Sequence, residues 1–160
     1  MKKKRSLIIG IVVLMVLGYG IFYSHVHFEY VYDGVISLSD MAPVDYKDFI
    51  KKDSYIFHSR EEFENFKDKF HINNGQIPDI SFEHEPLLLT RTHISIEKGG
   101  TLYSVEKINK NLFVLDITLK QKGFVTLKGF DENSNPQNIT ICKIKPGIFT
   151  KMYKPHVKVK

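Results

Sequence analysis

The chain has 160 residues and a formal net charge of +5, and 42% of its residues are hydrophobic. This length predicts a single domain, since compact domains usually contain about 100 to 150 residues, and the composition excludes wholesale disorder. Of the net charge, +4 comes from the run Lys2 to Arg5, and the remaining 19 basic and 18 acidic residues are nearly balanced. The basicity therefore belongs to the N-terminal tip, which argues against a nucleic-acid binder.

An uncharged apolar stretch follows this basic tip of residues 1–6. It runs from Leu7 to Tyr23 with the sequence LIIGIVVLMVLGYGIFY and has no polar face. Seventeen helical residues span about 26 Å, close to the roughly 30 Å of a bilayer's hydrocarbon core. Aromatic residues at the far end are typical of the headgroup level, and the positive-inside rule places the lysines in the cytoplasm. We therefore predict a single-pass transmembrane anchor, with the remainder of the chain extracytoplasmic.

A cleaved signal sequence is the alternative interpretation of the same stretch. Signal peptidases favour small residues at two positions before the cut, and Gly18 with Gly20 would allow cleavage after Gly20. Bulky neighbours and the lack of Ala-x-Ala argue for the anchor. Both interpretations place the working domain outside the cytoplasmic membrane, anchored in one case and secreted in the other.

The first elements of the exported part are short. We expect a stalk over Ser24 to Glu29 and a β-prone segment from Tyr30 to Leu38. Pro43 is expected to open a short helix, because apolar residues recur after it at helical spacing. A brief strand is predicted from Ser54 to Phe57.

The strongest local signal is that of a helix beginning after Ser59. Ser59 and Glu62 have the spacing of a capping box, in which each side chain bonds a free backbone amide of the first turn. Phe63, Phe66 and Phe70 follow at helical spacing and form one aromatic stripe. Such a stripe is typical of core packing rather than of a cofactor site.

After Pro78 the apolar residues alternate as they do in strands. The run from Asn111 to Lys120 has the pattern of a half-buried strand, and Asn109-Lys110 is expected to form the turn before it. The sequence therefore predicts an α+β fold over residues 30–160, with a mainly antiparallel sheet and one or two short helices. The predicted strands are Pro86–Arg91, Thr101–Ile108, Asn111–Lys120, Phe124–Lys128, Asn138–Lys145 and His156–Lys160.

The sequence contains none of the common catalytic motifs, such as a nucleophile elbow, a phosphate-binding loop or a His-Glu-x-x-His helix. We name no catalytic residue and expect no cofactor. The densest group of candidate metal ligands is Glu83, His84, Glu85 and His93, of which His84, Glu85 and His93 are the first choices. Their spacing fits no recognised zinc pattern, and polar residues beside a strand explain them as well.

Cys142 is the single cysteine, so it cannot form an internal disulfide. We interpret it as a small buried apolar residue on a strand, with a reactive thiol or an intermolecular bridge as alternatives.

Basic residues are concentrated in the C-terminal third of the chain. They fit a solvated strand face, and they also fit contact with an anionic wall polymer or lipid headgroups. These residues are Lys143, Lys145, Lys151, Lys154, Lys158 and Lys160.

Two stretches resemble known bacterial proteins. One is FHSREEFENFKDKF with IPDISFEHEPLLL, which resembles small exported proteins that pair a short helix with a strand. The other is KGGTLYSVEKINKNLFVLDITL, which resembles the hairpin of the PrcB-like C-terminal domain family, and together they cover roughly Tyr55 to Lys145. The resemblance implies an accessory binding domain rather than a catalyst, and it assigns no active-site residue.

These observations favour a membrane-anchored extracytoplasmic domain of a bacterial cell envelope that binds another protein or an anionic envelope component. The alternative is an exported hydrolase or metal-dependent enzyme that uses the region of Glu83, His84, Glu85 and His93. Convergence of three of those side chains in a concave pocket would favour the enzyme. A structural subunit whose anchor contacts partner helices is a third interpretation.

Overall fold

The computed structural model describes residues 8–16, 18, 23–38, 41–72, 75–82, 85–95, 98–111, 114–127, 134–145 and 153–160. In chain order their elements are helix α1 (residues 8–16), β1 (Tyr23–His25), β2 (Phe28–Ile36), α2 (Pro43–Ile50), β3 (Ser54–Phe57), α3 (Arg60–Lys69), β4 (Leu87–His93), β5 (Gly100–Asn111), β6 (Val114–Val125), β7 (Gln137–Ile144) and β8 (Lys154–Val159). The predicted α+β class is confirmed.

The strands form two four-stranded sheets. Sheet A has the strand order β1-β5-β6-β8, and sheet B has the order β2-β7-β4-β3. All neighbours pair antiparallel except β6 and β8, which are parallel. The prediction of a mainly antiparallel arrangement is therefore confirmed, with the chain dividing its strands between two sheets.

Sheet B is the middle layer of the domain. Leu87 and Leu89 of β4 belong to a core shared with Phe49 of α2 and Phe63 of α3. Leu88, the residue between them, belongs to a second core shared with the inner residues of sheet A. Successive side chains of a strand point to opposite faces, so the three consecutive leucines reflect a strand that is covered on both faces.

Helix α3 begins as its capping signal predicts. The Ser59 hydroxyl accepts a hydrogen bond from the backbone N–H of Glu62 at 3.2 Å. The Glu62 carboxylate accepts one from the backbone N–H of His58 at 2.7 Å, one residue before the expected position. Phe63 and Phe66 are buried, so the stripe is core packing. The predicted helix after Pro43 and the strand Ser54–Phe57 are also confirmed.

The expected stalk is wrong. Ser24 pairs with Lys110 in sheet A, and Phe28 pairs with Ile144 in sheet B. The chain between them crosses from one sheet to the other, because Val26 donates its N–H to Ile108 O and His27 O accepts from Lys145 N. These residues are ordered by backbone bonds to strands more than 80 positions away, which a local pattern does not reveal.

The expected hairpin turn at Asn109-Lys110 is also wrong. Strand β5 continues to Asn111, which pairs with Val114 of β6, so Asn109 and Lys110 lie within the strand. The register shifts at Leu102/Tyr103 and again at Val105/Lys107, so the simple alternation of β5 is lost. Strand β6 continues to Val125, and Phe124 is therefore part of it rather than of a separate strand.

Helix α1 lies within the predicted anchor, and its large apolar side chains are 45–70% exposed. Tyr23, predicted as the last anchor residue, begins β1 instead because it pairs with Asn111. Residues 7, 17 and 19–22 lie outside the described part of the chain. Among the helices that the structure describes, none combines the length and the apolar character needed to cross a bilayer.

Candidate functional site

A concave polar surface lies between the edge strands of the two sheets. Strand β8 ends sheet A, strand β3 ends sheet B, and the two strands are neighbours in space. Between them is a groove of about 820 Å³. One wall is formed by residues 51–56 and His58, and the other by residues 153–157. We call this feature the edge groove.

Among the charged residues that line the edge groove, the lysines outnumber the carboxylates. Lys51 and Lys52 stand on the β3 wall and Lys154 stands on the β8 wall. Asp53 is the one carboxylate among the lining residues that the structure describes. The Lys51 ammonium lies 2.6 Å from the carboxylate of Asp48, and this hydrogen bond lowers the pKa of Asp48. Lys154 forms no ion pair with any other described residue.

Two histidines complete the polar lining, one on each wall. They are His58 and His156. The Nδ1 atom of His156 lies 3.1 Å from the Asp116 carboxylate, and Lys158 contacts the same carboxylate at 3.4 Å. These bonds hold the pKa of Asp116 below its ordinary value, with the His156 contact as the largest cause. The Asp116 carboxylate therefore offsets the positive charge of Lys158 on β8.

The β3 wall is fixed to the aromatic core. The Tyr55 hydroxyl donates a hydrogen bond of 2.9 Å to the carbonyl of Phe49, at the end of α2. Its ring centre lies 4.8 Å from that of Phe66 in α3. Burial raises the pKa of Tyr55, so the phenol stays neutral and continues to donate this bond. Beside it, Ile56 and Val157 give the groove an apolar strip.

A second opening, the inner cleft, continues from the groove toward α2. It measures about 580 Å³ and shares Asp53 and Val157 with the edge groove. Apolar side chains from sheet A and from α2 line most of it, together with Arg91, Thr92 and His93 of sheet B. The two sheets are therefore separated along their β3/β8 side. Elsewhere, core residues fill the space between them.

Arg91 at the base of the inner cleft is a structural residue. Its side chain is only 6% exposed. Its Nε donates to the carbonyl of Lys52 at 2.8 Å, and its Nη2 donates to the carbonyl of Ile50. Ile50 is the last residue of α2 and Lys52 follows it closely, so the guanidinium lies at the C-terminus of this helix, where a cation is favourable. A further bond of 3.2 Å joins Nη1 to Gln137. Burial lowers the pKa of Arg91, yet guanidinium remains charged at neutral pH.

Of the proposed metal ligands, the structure describes Glu85 and His93, and it does not bring these two together. Glu83 and His84 lie outside the described residues. Glu85 precedes β4 and His93 ends it, so the length of this strand, about 20 Å, separates them. His93 instead places its Nδ1 atom 3.2 Å from the side-chain amide of Gln137. Within the described ranges, no three His, Cys, Asp or Glu residues are grouped as metal ligands would be.

Cys142 has the predicted packing role. It is fully buried in the core between the sheets. Burial raises the pKa of its thiol to about 12. The thiolate that nucleophilic chemistry requires is therefore not formed near neutral pH.

The basic C-terminal residues are distributed over different surfaces. Lys154 lines the edge groove at the start of β8, whereas Lys158 and Lys160 are paired with Asp116 and Glu106. Lys151 lies outside the described residues. Sequence reasoning did not single out Lys51 and Lys52, whose only local signal is a short basic pair after a predicted helix.

Comparison of the chain with protein-family models, curated proteins and solved structures finds no match. The resemblance to PrcB-like C-terminal domains therefore stays a prediction. The exposed apolar helix α1 and the edge groove are the two features from which a function can be inferred.

Proposed function

We propose that the chain is an extracytoplasmic binding domain held at a bacterial cell membrane by its N-terminal segment. The observation that carries this proposal is the surface of α1. Its eight large apolar side chains are 45–70% exposed, and the helix has no polar face to turn toward water. An apolar surface of this kind is stabilised by lipid, and the charged run Lys2 to Arg5 before it favours a cytoplasmic N-terminus.

The folded part is better suited to binding than to catalysis. The buried Arg91 uses its donors on carbonyls and on Gln137, and Tyr55 uses its hydroxyl on the end of α2. Cys142 is held as a neutral thiol by burial. The separation of Glu85 from His93 along β4 weighs against the metal-dependent enzyme. The edge groove remains as a concave surface with unpaired charge, which is what a binding site requires.

The test is the topology of single-cysteine variants in intact bacterial cells. Lys120 is exposed on β6, and Lys3 belongs to the basic tip. We expect K120C to react with a membrane-impermeant maleimide in intact cells, and K3C to react only after permeabilisation. Wild type provides the background, because its single thiol, Cys142, is buried.

Two results would contradict the proposal. If K120C also required permeabilisation, the domain would be cytoplasmic. If the labelled K120C protein appeared in the medium without its N-terminal segment, the segment would be a cleaved signal and not an anchor.

A further inference from the structure

We propose that the edge groove binds a linear, phosphate-bearing anionic polymer, such as a polyol-phosphate chain of the cell envelope. This inference rests on the proposed extracytoplasmic location, because such polymers would meet the domain there. It assigns a ligand class to a surface that lies between two strands of different sheets.

Positive charge on both walls is the first argument. Lys51 and Lys52 are part of the β3 wall and Lys154 is part of the β8 wall, so the residues that line the groove include a lysine on each side. Asp53 is partly neutralised by Arg91, whose Nη2 atom is 3.5 Å from its carboxylate. The bond from Lys51 to Asp48 is exposed, and an exposed pair of this kind is readily exchanged for a phosphate.

The chemistry of the lining fits a polyol phosphate. The groove's cations are lysine ammonium groups, which contact phosphate as compact point charges from any direction. The Lys52 ammonium stands 5.8 Å from the Tyr55 ring centre, so the charge lies next to a flat apolar surface. Tyr55, Ile56 and Val157 can cover the carbon units of the polymer while the lysines contact its phosphates.

The shape of the groove favours a flexible chain over a membrane surface. A bilayer is flat on the scale of one domain, whereas this cationic surface is a concavity between two strand edges. The open face of sheet A would suit a bilayer better than a groove does, and it carries lysines that do not line the groove, Lys107 and Lys120. A contact with anionic lipid would therefore depend on those residues and not on the groove.

The free edge of β8 also disfavours an acidic peptide added as a further strand. Lys160 donates its N–H to Leu119 O at 3.1 Å, so even-numbered residues of β8 direct their backbone groups toward β6. The odd-numbered residues, beginning with Pro155, direct theirs to the free edge. Proline has no N–H, so the first position available for strand pairing offers no donor.

The experiment measures binding of a synthetic glycerol-phosphate oligomer to the full chain in phosphatidylcholine nanodiscs, with neutral dextran as the reference probe. The groove variant K52E/K154E reverses one charge on each wall. The control variant K107E/K120E makes the same change in net charge at two exposed lysines of sheet A that are not among the residues lining the groove. Each lysine near an anionic partner is worth roughly fivefold in affinity, so the groove variant should bind at least about 25-fold more weakly. The control should change binding by less than about twofold, because salt screens distant charges.

A third variant, K52R/K154R, keeps both charges and should retain binding, which separates loss of charge from loss of folding. An equal loss in the groove and control variants would overturn the inference, since net charge alone would then explain the affinity. Failure of wild type to bind the oligomer would overturn it too, as would binding only to phosphatidylglycerol vesicles. The topology measured by maleimide labelling is independent of all these results, so the two proposals can fail separately.

Discussion

The two sheets differ in how much of their surface the rest of the chain covers. In sheet B, strand β7 has seven of eight residues buried, because α2 and α3 pack on one face and sheet A on the other. In sheet A, β6 alternates buried and partly exposed residues from Val114 to Leu119, as a strand with one open face does. This contrast places most of the stabilising contacts around sheet B, and leaves sheet A with the solvent-facing polar surface.

The edge groove combines the two environments. Its β3 wall belongs to sheet B and is joined to the aromatic core through Tyr55. Its β8 wall belongs to sheet A and is joined by a parallel ladder to β6. We therefore expect substitutions of buried residues around sheet B to lower the free energy of unfolding most. Substitutions of exposed residues should lower it least.

The largest expected effect is that of Phe66→Ala under sheet B. Phe66 is 7% exposed, and its ring lies within 4.9 Å of the ring centres of Phe57 and Phe70. Removing it leaves a cavity among aromatic side chains, and we expect the free energy of unfolding to fall by about 3–5 kcal/mol. Urea unfolding measures this. The matched substitution Lys120→Ala on sheet A should change stability by less than about 0.5 kcal/mol.

Similar losses for the two variants would break the comparison between the sheets. If Phe66→Ala does not fold, Phe66→Leu provides a smaller change at the same site. It should fall between wild type and alanine in the same urea titration, because less volume is lost.

The next effect concerns Arg91, the buried cation that joins sheet B to α2. Arg91→Met would leave the carbonyls of Ile50 and Lys52 and the side chain of Gln137 without their donors. Because unpaired buried acceptors are destabilising, we expect a loss of about 2–4 kcal/mol, measured by thermal or urea unfolding.

Arg60→Met is the matched control for this loss. Arg60 forms an exposed ion pair of 2.9 Å with Asp79. Exposed pairs contribute about 0–1 kcal/mol, so this variant should be close to wild type. If both arginine substitutions had the same effect, the role of Arg91 as a cap for α2 would be wrong.

Elements specified by neighbouring residues were predictable from the sequence. Helix α3 follows from the Ser59 cap and the aromatic stripe, and β4 follows from its consecutive leucines. The register shift at Leu102/Tyr103 was not predictable, because it lies at a hydrogen bond to a residue that is remote in the sequence. The backbone N–H of Tyr103 donates to the side chain of Asn138 at 2.6 Å, and Asn138 lies in the other sheet. Such a bond leaves no periodic signal near Tyr103.

The candidate site was predictable only in part. The basic C-terminal region was recognisable, but only Lys154 from it lines the edge groove among the residues that the structure describes. Its counterparts Lys51 and Lys52 are about 100 positions earlier, and they line the same groove because β3 and β8 are edge strands of different sheets that lie next to each other. A pairing of this kind depends on how the sheets are stacked, and the spacing of lysines along the chain carries no information about it.

The smallest expected effect is a pH dependence on the open face of sheet A. His156 and then Lys158 hold the pKa of Asp116 below its ordinary value. The folded pKa is thus lower than the unfolded value of about 3.9, so this contribution to stability is present above that value and is lost as pH falls through the lowered folded pKa. Asp116→Asn should remove this part of the acid destabilisation, measured as the change in unfolding free energy between about pH 7 and pH 2.

The difference from wild type should be small and should shrink in high salt, because the pair is near the surface. A loss at neutral pH as large as that of Phe66→Ala would show that the open face of sheet A stabilises the fold as strongly as the covered sheet does.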